Sequence, residues 1–325
     1  MTNLEKNIIQ FYERYDFEKR NYNIIVHSPD ATGKYLFIVD IIKNYFIQKN
    51  IKSINQIESH PDIFYLSLPL YNKSNKIDRA LNNEERLLYE FGLVDKFDNC
   101  RVGTDITIDQ IRALREFTNL SPSYDHKFII INNCNYLNHQ SSAALLKTLE
   151  ETNSPCIFLL LASELQSIKD TIRSRCHTYQ YIYENKDVSY DSYFDYYVST
   201  KPALKNIYDE YDYLKKYNLF ESELYSLYKK EINPLSLSGD WMERGSLCVD
   251  YLLSLFYILM KGFAFDNQNN LLEVYQSLSK KLPIKSSRSM SIIRTLYKLK
   301  IDFRGNLNKK LFYDNLLIVL DKELY

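Results

Sequence analysis

Between Ile106 and Cys176 the chain alternates helical and buried-strand patterns, and this alternation limits the fold more than any other feature. It opens Ile106-Thr107-Ile108-Asp109-Gln110-Ile111-Arg112 and passes through Phe128-Ile129-Ile130-Ile131. It continues as Ala143-Ala144-Leu145-Leu146-Lys147-Thr148-Leu149-Glu150-Glu151 and Ile157-Phe158-Leu159-Leu160-Leu161, and ends Thr171-Ile172-Arg173-Ser174-Arg175-Cys176. Continuous apolar runs of strand length, without polar alternation, belong to strands covered on both faces. Strands of that kind linked by helices predict a parallel sheet, whose working loops lie at the carboxyl ends of the strands.

The same pattern extends toward the N-terminus. Leu4, Ile8, Phe11, Tyr12 and Tyr15 are close to helical spacing, so residues 1–20 predict an amphipathic helix. Asn23-Ile24-Ile25-Val26-His27 predicts a strand feeding a loop at 28–35 and a buried helix after it, and Ile63 to Leu68, introduced by His60-Pro61-Asp62, predicts a second strand. Residues 71–105 are polar and charge-mixed, with a short helical pattern near Leu81 to Phe91, and are expected to form a surface excursion. A helix from Asp109 stopped by Ser121-Pro122, a helix capped near Asn138, a helix around 164–173 and a last strand near 177–182 complete the alternation.

After Tyr183 only helical patterns remain, at Leu247 to Phe263, Leu271 to Leu282, Ser289 to Leu299 and Leu307 to Leu324. The expected organisation is an α/β parallel-sheet domain over 1–182, a small helical domain over 183–215 and an all-helical domain over 216–325.

Composition narrows the function classes. Lysine plus arginine (41) equals aspartate plus glutamate (41), which gives no support to autonomous polyanion binding. The polar N-terminus lacks the apolar core of a secretory signal, and no apolar run approaches the roughly 18 to 20 residues of a membrane span, so a cytoplasmic protein is expected. Cys100, Cys134, Cys156, Cys176 and Cys248 include no Cys-x-x-Cys pair, and the five histidines show no ligand spacing. Neither a metal site nor a disulfide framework is indicated.

The loop Ser28-Pro29-Asp30-Ala31-Thr32-Gly33-Lys34-Tyr35 sits where a phosphate-binding loop would. It keeps Gly33 and Lys34 but has Ser28 in place of the first glycine and Tyr35 in place of the small hydroxyl that holds magnesium. The strand at 127–131 runs into Asn132-Asn133-Cys134-Asn135 and offers no carboxylate for a metal or an attacking water. Two catalytic elements are therefore missing, which favours a structural turn over a working loop. Glu150 and Glu151 are adjacent on a helix and do not share a face, so a solvated helix end explains them better than acid–base chemistry. Arg175, between a helix and a strand, either pairs with a surface carboxylate or reaches a neighbour's γ-phosphate. The choice between the two depends on whether there is a neighbour.

Taken together, Ile106 to Arg112, Ala143 to Glu151 and Thr171 to Cys176 resemble the delta-prime subunits of the bacterial DNA polymerase III clamp loader, over roughly residues 20–182. Farther on, the run Gly305 to Leu311 followed by an apolar helix is similar to that family's collar domain. The resemblance implies an AAA+ type domain, a small helical lid and an all-α collar, in a subunit that does not hydrolyse ATP. Ser174, Arg175 and Cys176 match the motif whose arginine acts in trans on the adjacent motor subunit, and Ser28, Gly33, Lys34 and Tyr35 fall in a degenerate nucleotide loop. The implied partners are the gamma/tau motor subunits, the delta subunit and, through the assembly, the sliding clamp and primer-template DNA. Many relatives carry four zinc-binding cysteines before a His-Pro-Asp, but residues 48–59 here contain no cysteine, so no zinc is expected. The rival expectations are an active P-loop motor subunit of a clamp loader and a helical scaffold unrelated to replication.

Overall fold

The computed structural model describes residues 3–17, 21–49, 51, 57–91, 94, 96–152, 154–183, 190, 192–205, 219–245, 247–262, 271–303 and 308–324. The chain divides into two compact units, Met1–Leu87 with Val94–Glu184, and Leu88–Leu93 with Asn185–Tyr325.

The first unit is built on strands β1 (Tyr22–His27), β2 (Ile63–Leu66), β7 (Lys127–Ile131), β8 (Cys156–Ala162) and β9 (His177–Gln180). They pair in parallel in the order β2-β7-β8-β1-β9, which bears out the expected α/β parallel-sheet domain. Alternate side chains of each strand feed two different cores. Ile24, Val26, Phe128, Ile130, Ile157, Leu159 and Leu161 pack with Phe11 of helix α1 (Asn3–Arg14) and Phe37, Ile38 and Ile41 of α2 (Lys34–Gln48). Ile25, Ile129, Ile131, Phe158 and Leu160 pack on the other face with Ile111 and Leu114 of α4 (Ile108–Asn119) and Leu145 of α5 (His139–Glu151). Burial on both faces is why these strands carry no polar alternation. Each such side chain contributes roughly 1.5–3 kcal/mol on leaving water.

Helix starts follow the local chemistry. Thr107 and Gln110 form a reciprocal capping box at α4, and the Asn138 side chain accepts from the Ser141 backbone N–H to cap α5. Lys127, 1% exposed, donates to the Phe117 and Leu120 carbonyls and so satisfies the carboxyl end of α4. Asp62 accepts from the Ser123 and Tyr124 backbone N–H groups at 2.7 and 2.8 Å, and the His60 ring packs on Phe46. The His-Pro-Asp sequence thus anchors the turn that leads into β7.

Two expectations need correction. The polar segment 71–105 is more than a surface excursion: β3 (Pro69–Tyr71), β4 (Ile77–Ala80), β5 (Lys96–Phe97) and β6 (Cys100–Val102) form an antiparallel sheet in the order β4-β3-β6-β5, with α3 (Asn83–Glu90) between β4 and β5. Leu70 of β3, Val102 of β6, Leu81 and Leu87 are buried, and Asp98 and Asn99, both at positive φ, make the two-residue turn from β5 to β6. The helix expected around 164–173 shrinks to a 3-10 turn at Leu165–Ser167 and the four-residue α6 (Asp170–Arg173). Ile168, buried and extended in backbone, ties the segment to the core and interrupts the helix.

The second unit is helical: α7 (Tyr193–Ser199), α8 (Phe220–Tyr228), α9 (Ser238–Glu243), α10 (Leu247–Lys261), α11 (Leu271–Lys281), α12 (Ser286–Phe303) and α13 (Lys309–Glu323). Residues 184–189, 191 and 206–215 of the expected small domain, and 216–218 and 304–307 of the expected all-helical domain, the latter including Gly305 to Leu307, lie outside the described residues. Asp250 of α10 binds Lys201 and Lys300 at 2.6 and 3.1 Å and accepts from the Tyr197 hydroxyl at 3.2 Å. Burial opposes its charge, but the two ammonium groups outweigh burial and hold the carboxyl well below the usual carboxylate range. Among the described residues no helix is long and apolar enough to cross a membrane.

Candidate functional site

The carboxyl end of β1 leads into the loop 28–35. Ala31 and Gly33 take positive φ (61° and 95°), which turns the chain into α2 with Gly33 at its N-cap. The loop is closed on itself. The Ser28 and Thr32 hydroxyls are 2.8 Å apart, and Thr32 donates to the Pro29 carbonyl at 2.9 Å. The Lys34 ammonium donates to the Ser28 and Pro29 carbonyls at 3.0 and 3.3 Å, lies 3.6 Å from Asp30, and the residue is 4% exposed. Tyr35 is buried, edge-on to Tyr65 with ring centroids 5.9 Å apart.

These groups fit magnesium-ATP poorly. The lysine that should meet phosphates is engaged with the loop's own backbone, and a buried aromatic ring stands where a small hydroxyl should hold the metal. Strand β7, separated from β1 by β8, does not make up the deficit. At the end of β7 the Asn132 amide donates to the Tyr65 hydroxyl at 3.0 Å and to Asn83 at 3.1 Å. Asn135 accepts from the Ser163 backbone N–H at 3.0 Å and donates to the Glu164 carbonyl and the Ser167 hydroxyl. The asparagines knit loop to loop through neutral hydrogen bonds, and none carries the charge that a divalent cation needs. Among the described residues no three His, Cys, Asp or Glu side chains come together to hold a metal ion.

The turn after α6 is organised differently. Arg175 is 41% exposed in its side chain. Its Nε donates to Glu150 Oε1, and its Nη1 donates to the Thr171 carbonyl at 3.0 Å and the Ser174 hydroxyl at 3.3 Å. Ser174 in turn donates to Thr171 O at 3.0 Å. A guanidinium has five donors, so the two on Nη2 have no protein partner among the described residues. Cys176 packs against the core that holds Cys134, and burial pushes both thiols up to about 12. At neutral pH both are uncharged, which makes the partly buried Cys176 a packing residue and leaves Arg175 as the charged member of the triplet.

Glu150 and Glu151 therefore do more than end a helix. Although half-exposed, they diverge to two arginines: Glu150 to Arg175, and Glu151 to Arg115 of α4 at 2.6 Å. Beside the second pair runs a groove between α4 and α5, lined by Arg112, Arg115, His139, Gln140 and Lys147 among others. Sequence reading missed this cluster because cations at helical spacing look like a solvated face. Its one signal was that Arg112 and Arg115 share a helix face while the chain as a whole is neutral.

The chain is similar to several known proteins. The family model described as "DNA polymerase III, delta subunit" matches residues 6–183, more than half of the 325-residue chain. The DNA polymerase III subunit delta' of Haemophilus influenzae is 30% identical over 105 residues, covering 32% of this chain and 31% of that protein. The DNA polymerase III subunit tau of Bacillus subtilis is 39% identical over 75 residues, covering 23% of this chain and 13% of that protein. The chain thus spans about a third or less of the length of these curated relatives. A DNA polymerase III, gamma subunit-related protein from Thermotoga maritima superposes with a TM-score of 0.42 at 18% identity, covering 100% of both chains. On the extent of the family match, the chain belongs to the DNA polymerase III, delta subunit family.

Proposed function

We propose that this chain is the non-hydrolysing delta-prime, or stator, subunit of a DNA polymerase III clamp loader, and that Arg175 completes the ATP site of an adjacent motor subunit. The observation that carries the reading is the contrast between two cations of one domain. Lys34 is buried on its own loop, while Arg175 is exposed with Nη2 uncommitted. A domain without metal ligands at its own nucleotide loop, but with an available guanidinium at its rim, is suited to stabilising transition-state charge on a phosphate held by a neighbour. The partners proposed are gamma/tau motor subunits and a delta subunit, with the sliding clamp and primer-template DNA engaged through the assembly. No zinc and no resident nucleotide are proposed for the chain itself.

The α4–α5 groove supports a share in DNA contact. Arg112 and Arg115 are each tied to one carboxylate, Asp109 and Glu151, so the groove is moderately basic. A surface that contributes only a few phosphate contacts within a ring suits a chain with no net charge.

Two measurements test the reading. The purified chain, titrated with magnesium-ATP by calorimetry and assayed for phosphate release, is expected to show neither saturable binding nor turnover. It is also expected to co-purify with the DNA polymerase III motor subunit when the two are mixed. Tight binding with turnover by the chain alone would establish the rival motor reading, which Gly33 and Lys34 favour. Failure to associate with motor subunits would overturn the stator reading.

A further inference from the structure

We infer that Glu150 is a positioning residue for Arg175: it holds the guanidinium by its Nε edge, so that Nη2 is presented, already oriented, to an anion from another chain. The inference rests on the reading of Arg175 as a group acting in trans, and adds to it the residue that aims the arginine.

The geometry separates holding from neutralising. An arginine paired across both terminal nitrogens with a carboxylate has its fork occupied. Here Glu150 takes only Nε, while Thr171 O and Ser174 Oγ take Nη1. The three acceptors come from two places, the last turn of α5 and α6 with the Ser174 that caps it. An arginine side chain otherwise has many rotamers to lose when it meets a ligand. With three donors committed beforehand, most of that ordering is complete before the anion arrives.

The carboxylate itself stands on a fixed base. Glu150 follows Leu149, which is 9% exposed, and Leu145, one turn earlier, is fully buried against β7 and β8. A helix locked by its apolar stripe sets the origin of the Glu150 side chain more firmly than a loop could. Glu151, the next residue, points to Arg115 instead, consistent with the roughly 100° between successive helix positions. Each glutamate thus serves a different arginine. That division explains why two adjacent carboxylates stand here without sharing a site.

The test uses the complex reconstituted from this chain and its motor subunits, with clamp and primed DNA, and reads kcat and KM for ATP. Four variants are compared: Glu150→Ala, Glu150→Gln, Arg175→Ala and the double variant Glu150→Ala with Arg175→Ala. Gel filtration of each complex controls for assembly. Glu150→Ala is expected to slow the one site that Arg175 serves by about threefold or more, so that the complex loses most of the share of kcat lost with Arg175→Ala while KM for ATP changes little, because a misplaced group loses rate through orientation. Glu150→Gln, which keeps an acceptor of the same length, is expected to retain most of the rate, and the double variant is expected to match Arg175→Ala alone.

If Arg175→Ala lowers turnover while Glu150→Ala matches the unsubstituted complex, the positioning role is refuted and the trans reading stands. If Glu150→Ala raises turnover, Glu150 competes with the phosphate for Arg175, which also refutes the role. If Arg175→Ala itself changes nothing, the underlying reading fails and Glu150 has nothing to position.

Discussion

The loop at 28–35 and the turn at 171–176 both place a cation at an end of the same parallel sheet, and they use it in opposite ways. Lys34 is almost wholly buried and bonded to carbonyls of its own loop, whereas Arg175 is 41% exposed and braced from one side only. The difference lies in what surrounds each charge. Tyr35 and the Ser28–Thr32 hydroxyl pair fill the first loop from within, while Glu150, Thr171 and Ser174 grip the arginine and leave Nη2 over. On the proposed reading, a closed nucleotide loop and a trans-acting group coexist in one domain. The first follows from local packing, and the second depends on a different helix.

This contrast can be sharpened by substitution, beginning with the largest effect. Within the turn itself, Cys176 should behave as core. With its thiol pushed up to about 12, its thiolate fraction at pH 8 is lower than that of an unfolded cysteine by about 10³, so alkylation followed by mass spectrometry should find Cys134 and Cys176 protected until denaturant is added. Rapid labelling of Cys176 in the native protein would place it at the surface beside Arg175. Next comes the loop. Tyr35→Ala removes a buried ring packed on Tyr65 and should cost about 3 kcal/mol in urea unfolding. Lys34→Ala leaves the Ser28 and Pro29 carbonyls without their charged donor and should cost about 1.5–3 kcal/mol, with no effect on ATP turnover by the reconstituted complex. A loop that lost turnover without losing stability would be a nucleotide site after all. Smallest in stability is Arg175→Ala, expected within about 0.5 kcal/mol because exposed ion pairs contribute little.

Much of the sheet was legible because its strands are apolar for a simple reason. Residues such as Ile129 and Ile130, or Phe158 and Leu159, point to opposite faces and are buried on both. The cap at Asn138 was legible for a similarly local reason, since a short polar side chain there accepts from one of the first free N–H groups. The small antiparallel sheet was not, because β4 and β5 are four and two residues long and mostly solvent-facing, so their pairing leaves no periodic trace. The short α6 also escaped, since a buried Ile168 fits a helix pattern and an extended anchor equally well.

At the site, the asparagine run after β7 could be recognised as lacking carboxylates from residue identity alone. That Asn132 reaches Tyr65 and Asn83 could not be foreseen, because those partners lie 67 and 49 residues away in the chain. Nor could the partnership of Glu150 with Arg175, 25 residues apart with a strand between them. Sequence identified the half of the contrast that depends on which residues are missing. The half that depends on which residues meet needed the fold.

The central claim is that the chemically relevant cation of this domain acts on another chain's nucleotide. It is tested most directly by DNA-dependent ATP turnover of the clamp-loader complex reconstituted with Arg175→Ala. An arginine acting on a transferring phosphate is worth about 10³ to 10⁵ at the site it serves, so that site should fall silent and the complex should lose the corresponding share of its turnover while assembling normally. Full turnover from a correctly assembled Arg175→Ala complex would contradict the account.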